Sequence, residues 1–172
     1  IASYTQVSSP GAVSFGVNRT SISVTLSANG NPAGTAIAIT TSNFETSTSS
    51  ESVMGAGNTT LMLSNLAPNT LYTVKTRAVN YNNLASSPTT VASTTTLTNA
   101  ISIAGFNIYT TSASIQINSN GNPAGTQLVV STGTSGDYAV SLSSIGKVSG
   151  SVTTLTIFNL STNTSYGLQA GS

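Results

Sequence analysis

The sequence predicts an all-β chain of two tandem β-sandwiches, and three observations carry that prediction. Apolar and polar residues alternate with period two in stretch after stretch, as in strands with one face in a core and one in solvent. No stretch has a helical period. The heptapeptide Asn-Gly-Asn-Pro-Ala-Gly-Thr stands at Asn29–Thr35 and again at Asn120–Thr126, a period of about 90 residues, the size of one small sandwich.

The repeat extends beyond the heptapeptide. Ile22, Val24 and Leu26 before the first copy correspond to Ala113, Ile115 and Ile117 before the second. After it, Ile37 and Ile39 correspond to Leu128 and Val130, Thr60–Leu66 to Thr154–Leu160, and Tyr72 to Tyr166. Strands are predicted at 12–17, 21–28, 36–41, 59–66, 71–80 and 89–97 in the first module. In the second they fall at 102–108, 112–119, 127–131, 138–142, 152–158 and 165–170. Thr and Ser fill the outward positions, where β-branched Thr suits a pleated surface. Gly, Pro and Asn punctuate the gaps. The heptapeptide reads as a turn set by Pro32 and Pro123, with glycines available for positive φ; a ligand-binding loop is the alternative reading.

Composition narrows the chemistry. The 172 residues carry 4% charged side chains and a net charge of +1, against about 25% charged residues in ordinary soluble domains. The acids are Glu45, Glu51 and Asp137, and the bases Arg19, Lys75, Arg77 and Lys147. His, Cys and Trp are absent. Without His or Cys the common zinc, copper and haem sites cannot be built, and neither can a Ser-His-Asp or Cys-His device. General acid–base catalysis usually uses His or paired carboxylates, and only Glu45 and Glu51 are close in sequence. The chain is therefore expected to be no enzyme, with no catalytic residues, no metal and no cofactor. The charge offers no basic patch for nucleic acid or for an anionic membrane surface, and no apolar run approaches the ~20 residues of a membrane-spanning helix. A neutral, hydroxyl-rich surface has little repulsion to keep copies apart, which favours assembly or a coat of glycans, both outside the cell.

The segment Leu66-Ala67-Pro68-Asn69-Thr70-Leu71-Tyr72-Thr73-Val74 resembles the L-x-P-x-T-x-Y-x-V signature of fibronectin type III domains, an immunoglobulin-like sandwich family. The second copy, Leu160 to Tyr166, keeps Leu, Thr and Tyr but not Pro. The resemblance implies that Tyr72 and Tyr166 are tyrosine corners, with the hydroxyl bonded to upstream backbone. The family's buried Trp on strand B is replaced by Leu26 and Ile117, so an aliphatic core is expected. Tandem modules of this kind are similar to those of bacterial secreted and surface proteins. No Arg-Gly-Asp tripeptide supports integrin-type binding.

The two ends suggest an assembly mechanism. Ile1–Val7 aligns with Val91–Leu97, the last strand (G) of the first module: Ile1 at Val91, Ser3 at Ser93, Thr5 at Thr95 and Val7 at Leu97. After Tyr166 the sequence stops at Ser172, so the second module is expected to lack its own strand G. An open sheet edge is a template for pairing. In one reading, Ile1, Ser3, Thr5 and Val7 of one subunit complete the second domain of the next. This is donor-strand complementation, and it builds a head-to-tail homopolymer. In the other, the chain is an excerpt of a longer array, and a spacer, adhesion or carbohydrate-binding module of a secreted multidomain protein. The expected organisation is an N-terminal strand at 1–8, a first domain at 9–98 and a second at 99–172. Sequons at Asn18, Asn58, Asn159 and Asn163 are candidate glycosylation sites. Lys75 and Arg77 read as a solvated face, and Tyr81 as part of an ordinary loop between strands, with stacking on a sugar as the alternative.

Overall fold

Alternation of apolar and hydroxyl-bearing residues builds thirteen strands among the described residues. The computed structural model describes residues 5–42, 44, 49–55, 57–132 and 142–172. The chain divides into two compact units, Ile1–Leu97 and Thr98–Ser172.

In unit 1 the strands are β1 (Gly11–Val17), β2 (Ile22–Ser27), β3 (Ala36–Thr40), β4 (Ser49–Val53), β5 (Thr59–Leu63), β6 (Leu71–Val79) and β7 (Thr89–Thr95). They form a three-stranded sheet, β1-β2-β5, and a four-stranded sheet, β4-β3-β6-β7. All the strand pairs are antiparallel. Because side chains alternate across a strand, β2 sends Ile22, Val24 and Leu26 inward, where they are fully buried. They meet Ile37 and Ile39 of β3, Leu61 and Leu63 of β5, and Val74 and Ala78 of β6. The core is aliphatic, with the Tyr72 ring packed at its margin.

Unit 2 repeats the plan with β8 (Ser102–Ile108), β9 (Ser112–Asn118), β10 (Gln127–Ser131), β11 (Ser143–Lys147), β12 (Val152–Phe158) and β13 (Gln169–Gly171). Its sheets are β12-β9-β8 and β11-β10-β13. Ala113, Ile115 and Ile117 of β9 pack on Leu128 and Val130 of β10 and on Leu155 and Ile157 of β12.

Some strand boundaries differ from the sequence expectation, each for a local reason. β4 has no sequence counterpart in the prediction, because Ser-Ser-Glu-Ser-Val has no apolar alternation; it is a polar edge strand held by its ladder to β3. The strand expected at 138–142 falls almost wholly outside the described residues, and the observed strand, β11, lies at Ser143–Lys147. The strand expected to run to 66 stops at Leu63, because Asn65 takes a left-handed backbone with φ 60°. The strand expected at 165–170 is only Gln169–Gly171. In unit 1 the matching residues Leu71–Val74 pair with β7 alone, while Lys75–Val79 pair with β3. In unit 2, β10 pairs on one side with β11 and on the other with Gln169–Gly171 alone, and no described strand lies along 165–168 to complete a ladder there.

The abundance of Asn has a backbone cause. Asn29, Asn65, Asn69 and Asn83 in unit 1, and Asn120, Asn159 and Asn163 in unit 2, all have positive φ, a region that Asn tolerates better than other non-glycine residues.

Candidate assembly site

The heptapeptide is a turn with a specific structural task. Asn31 is buried, and its side chain copies a strand partner. Its Oδ1 accepts the Ser8 amide at 2.9 Å, and its Nδ2 donates to the carbonyls of Ser8 at 2.7 Å and Ala28 at 2.8 Å. Asn29 adds a bond from Nδ2 to the Ser9 carbonyl at 2.8 Å. In unit 2, Asn122 accepts the Asn99 amide at 2.7 Å and donates to the carbonyls of Asn99 at 2.8 Å and Ser119 at 2.9 Å. Asn120 donates to the Ala100 carbonyl at 2.8 Å. The same clasp therefore grips the chain as it leads into each sandwich. Gly34 and Gly125, both at φ 91°, close the turn by donating to Met54 and Val148 carbonyls. Tyr81 is exposed, and its hydroxyl donates to the Ala33 carbonyl of this turn at 3.2 Å.

The clasp fixes a register. Ser8 stands where Asn99 stands, so Thr5 corresponds to Thr96, Gln6 to Leu97 and Val7 to Thr98. The alignment of Thr5 with Thr95 and Val7 with Leu97 is one residue away from this, and a one-residue slip exchanges the two faces of a strand. Thr95 and Leu97 are exposed, whereas Thr96 is 2% exposed. Ile1 and Ser3 lie outside the described residues. Thr5 is exposed, and its carbonyl accepts from the Asn80 side chain at 3.2 Å. Val7 is half-buried and packs against the core of unit 1, which places it with its own sandwich.

Both corner tyrosines hold the same local geometry. The Tyr72 hydroxyl accepts the Ala67 amide at 2.9 Å, and the Tyr166 hydroxyl accepts the Ser161 amide at 3.0 Å. Donation from Ser161, by its backbone first and its side chain second, holds the Tyr166 phenol below its usual pKa, with desolvation acting weakly in the other direction.

Beside each corner lies the seat of a strand end. In unit 1 it holds Thr96 and Leu97. The Thr96 hydroxyl donates to the Ala67 carbonyl at 2.6 Å and accepts the Thr70 amide at 3.0 Å. The Thr96 amide donates to Thr70, the Leu97 amide to Asn18, and the Asn69 amide to the Leu97 carbonyl. By the repeat, Ala67, Asn69, Thr70 and Asn18 correspond to Ser161, Asn163, Thr164 and Tyr109. All four of these line an open cavity of about 530 Å³ in unit 2. A second hollow of about 340 Å³ adjoins it, bounded by Ile103, Phe106, Ile108, Ile115, Tyr166 and Leu168. Exposure follows the same pattern: β7 lies against β1 in unit 1, where Phe15 is 38% exposed, while its unit 2 counterpart Phe106 is 62% exposed.

The remaining sequence candidates do not converge on one place. Asn18, Asn58, Asn159 and Asn163 are all exposed; Asn58 immediately precedes β5, and Asn163 lines the larger cavity. Lys75 and Arg77 are half-buried rather than freely solvated. The Arg77 guanidinium lies 4.2 Å from the Phe44 ring centroid, a cation–π contact that spacing alone does not disclose. Among the described residues no cluster of three acidic, His or Cys side chains could hold a metal, and no helix is long and apolar enough to cross a membrane.

No protein-family model and no curated protein matches the chain. Among solved structures, it is similar to a two-domain fibronectin type III segment of chicken tenascin. The TM-score is 0.58 and the identity 19%, over 95% of this chain and 90% of that one. The fold is that of tandem fibronectin type III domains.

Proposed function

We propose that the chain is a non-enzymatic structural subunit of an extracellular filament at the cell surface, assembled from copies of itself head to tail. The N-terminal segment of one copy, which the sequence reading takes as Ile1–Val7 and which the packing of Val7 on its own core confines to the residues ahead of Val7, adds a strand to the second sandwich of the next copy. The observation that carries this reading is the cavity of unit 2, lined by the counterparts of the residues that hold the strand end in unit 1. The clasp at Ser8 supports it, because residues ahead of Ser8 lead into unit 1 as Thr96 and Leu97 lead into unit 2. Strand addition of this kind gains affinity from main-chain hydrogen bonds. A head-to-tail contact propagates unless rotation closes it into a ring. The low charge and hydroxyl-rich surface suit close packing of copies and decoration by glycans.

Electron microscopy of the full chain beside a version lacking residues 1–6 tests the reading. Truncation there spares Val7 and the Ser8 clasp, so unit 1 keeps its fold. Filaments formed by the full chain and not by the truncation are expected. Monomers in both preparations would favour the alternative, a spacer or adhesion module of a longer secreted protein.

A further inference from the structure

The cavity in unit 2 is lined by Ser161, Asn163, Thr164 and Tyr109, whose unit 1 counterparts bond the strand end at defined positions. We infer that it is a threonine-specific register lock, and that its occupant is the N-terminal segment of a second copy with Thr5 in the place of Thr96; this inference rests on the strand-donation reading above. The Thr5 hydroxyl donates to the Ser161 carbonyl and accepts the Thr164 amide, as Thr96 does with Ala67 and Thr70 in unit 1. The Gln6 amide donates to the Tyr109 carbonyl, and its carbonyl accepts the Asn163 amide, as Leu97 does with Asn18 and Asn69.

Two independent features on the chain select this register. In the first, Thr96 precedes the clasped Asn99 by the same step with which Thr5 precedes the clasped Ser8. In the second, a slip of one residue presents the wrong face. It places Thr5 where Thr95 stands, on the exposed side of the strand, and leaves the Ser161 and Thr164 backbone groups facing the longer Gln6 side chain in place of a threonine hydroxyl. Asn80 holds the Thr5 carbonyl, which sets the distance between the lock residue and its own sandwich while Thr5 stays exposed. A threonine suits the seat because its hydroxyl both donates and accepts.

Disulfide trapping reads the register directly, since the chain has no cysteine of its own. In unit 1, Leu71 pairs with Thr95, and both are exposed. The counterpart of Leu71 is Ser165, and in the inferred register it faces Tyr4 of the second copy; in the slipped register it faces Thr5. Single-cysteine full-length chains are therefore mixed and oxidised in two pairings: Tyr4→Cys with Ser165→Cys, and Thr5→Cys with Ser165→Cys. The first pairing is expected to give at least about tenfold more cross-linked heterodimer, because disulfide geometry rejects a displaced partner. A reversed preference would overturn the register while leaving strand donation standing. No cross-link in either pairing, with monomers by size exclusion, sinks donation and register together. As a second readout, Thr5→Ser should assemble like the parent, while Thr5→Val should raise the critical concentration about tenfold through the lost hydroxyl bonds. Equal assembly of the Ser and Val variants would remove the lock.

Discussion

Leu71–Val74 of unit 1 and residues 165–168 of unit 2 occupy the same place in two copies of one module, yet only the first is a strand. Both follow a tyrosine corner with the same hydroxyl-to-amide bond. Their local sequences, Leu-Tyr-Thr-Val and Ser-Tyr-Gly-Leu, both contain an apolar alternation. The difference lies in what runs beside them. β7 supplies the whole ladder for Leu71–Val74, and no described strand does so for 165–168. Strand identity here belongs to the pair and not to the segment, while the corner, being local, forms in either setting.

The largest expected effects come from the cores that the two edges cover. Leu26 and Ile117 are fully buried counterparts; truncation of either to Ala should cost about 2–5 kcal/mol. Calorimetry of each variant should show two transitions, with Leu26→Ala lowering the later one and Ile117→Ala the earlier, because unit 2 has the more exposed margin. A single transition shifted equally by both variants would break the comparison.

The clasp comes next. Asn31→Ala and Asn122→Ala each remove three side-chain bonds at a buried turn. Each should destabilise its own unit by about 2–3 kcal/mol, since the backbone groups left behind lose their partner. Chemical denaturation that found the loss in one variant only would show that the two clasps differ in role despite their shared geometry.

Thr96→Val sharpens the contrast by giving unit 1 an edge more like that of unit 2. It should cost about 1–2 kcal/mol from the unpaired Ala67 carbonyl and Thr70 amide. Amide exchange at Tyr72, Thr73 and Val74 should then accelerate toward the rates of Tyr166 and Leu168. Unchanged exchange would mean that the Thr96 seat does not anchor β7.

The smallest effect is electrostatic. The Ser161 amide favours the Tyr166 phenolate, so the folded pKa lies below the unfolded one. The linked stabilisation is present above the unfolded phenol pKa and is lost as pH falls through the folded one, leaving none at neutral pH. Alkaline absorbance titration should show an early phenolate step that Tyr166→Phe removes. Persistence of that step would assign it to another tyrosine.

Most of the fold was legible in the sequence because its causes are local. Alternation places Ile22, Val24 and Leu26 on one face, and the repeated heptapeptide marks the module length and the turn. The site was less legible. Asn31 and Asn122 stand inside the repeat, but nothing in their spacing reveals that they grip Ser8 and Asn99. The identity of those partners could have been sought at equal distances before each heptapeptide. The alignment of residues 1–7 with Val91–Leu97 followed side-chain similarity and came within one residue of the register that the clasp defines. A similarity score cannot see which face of a strand is inward; Thr96, buried by its hydrogen bonds and not by hydrophobicity, is the residue that alternation overlooks.

By itself, then, the amino-acid sequence determined the sandwich modules, their aliphatic cores, the asparagine-rich turns and a low-charge chain with neither His nor Cys. These follow from residue type and period, which act over a few positions. Tertiary structure alone decided where strands end, which polar side chains become clasps, and that the strand-end seat of unit 1 has an open counterpart in unit 2. Those outcomes depend on hydrogen bonds between residues distant in sequence, and a backbone donor or acceptor has no partner until the fold brings one beside it.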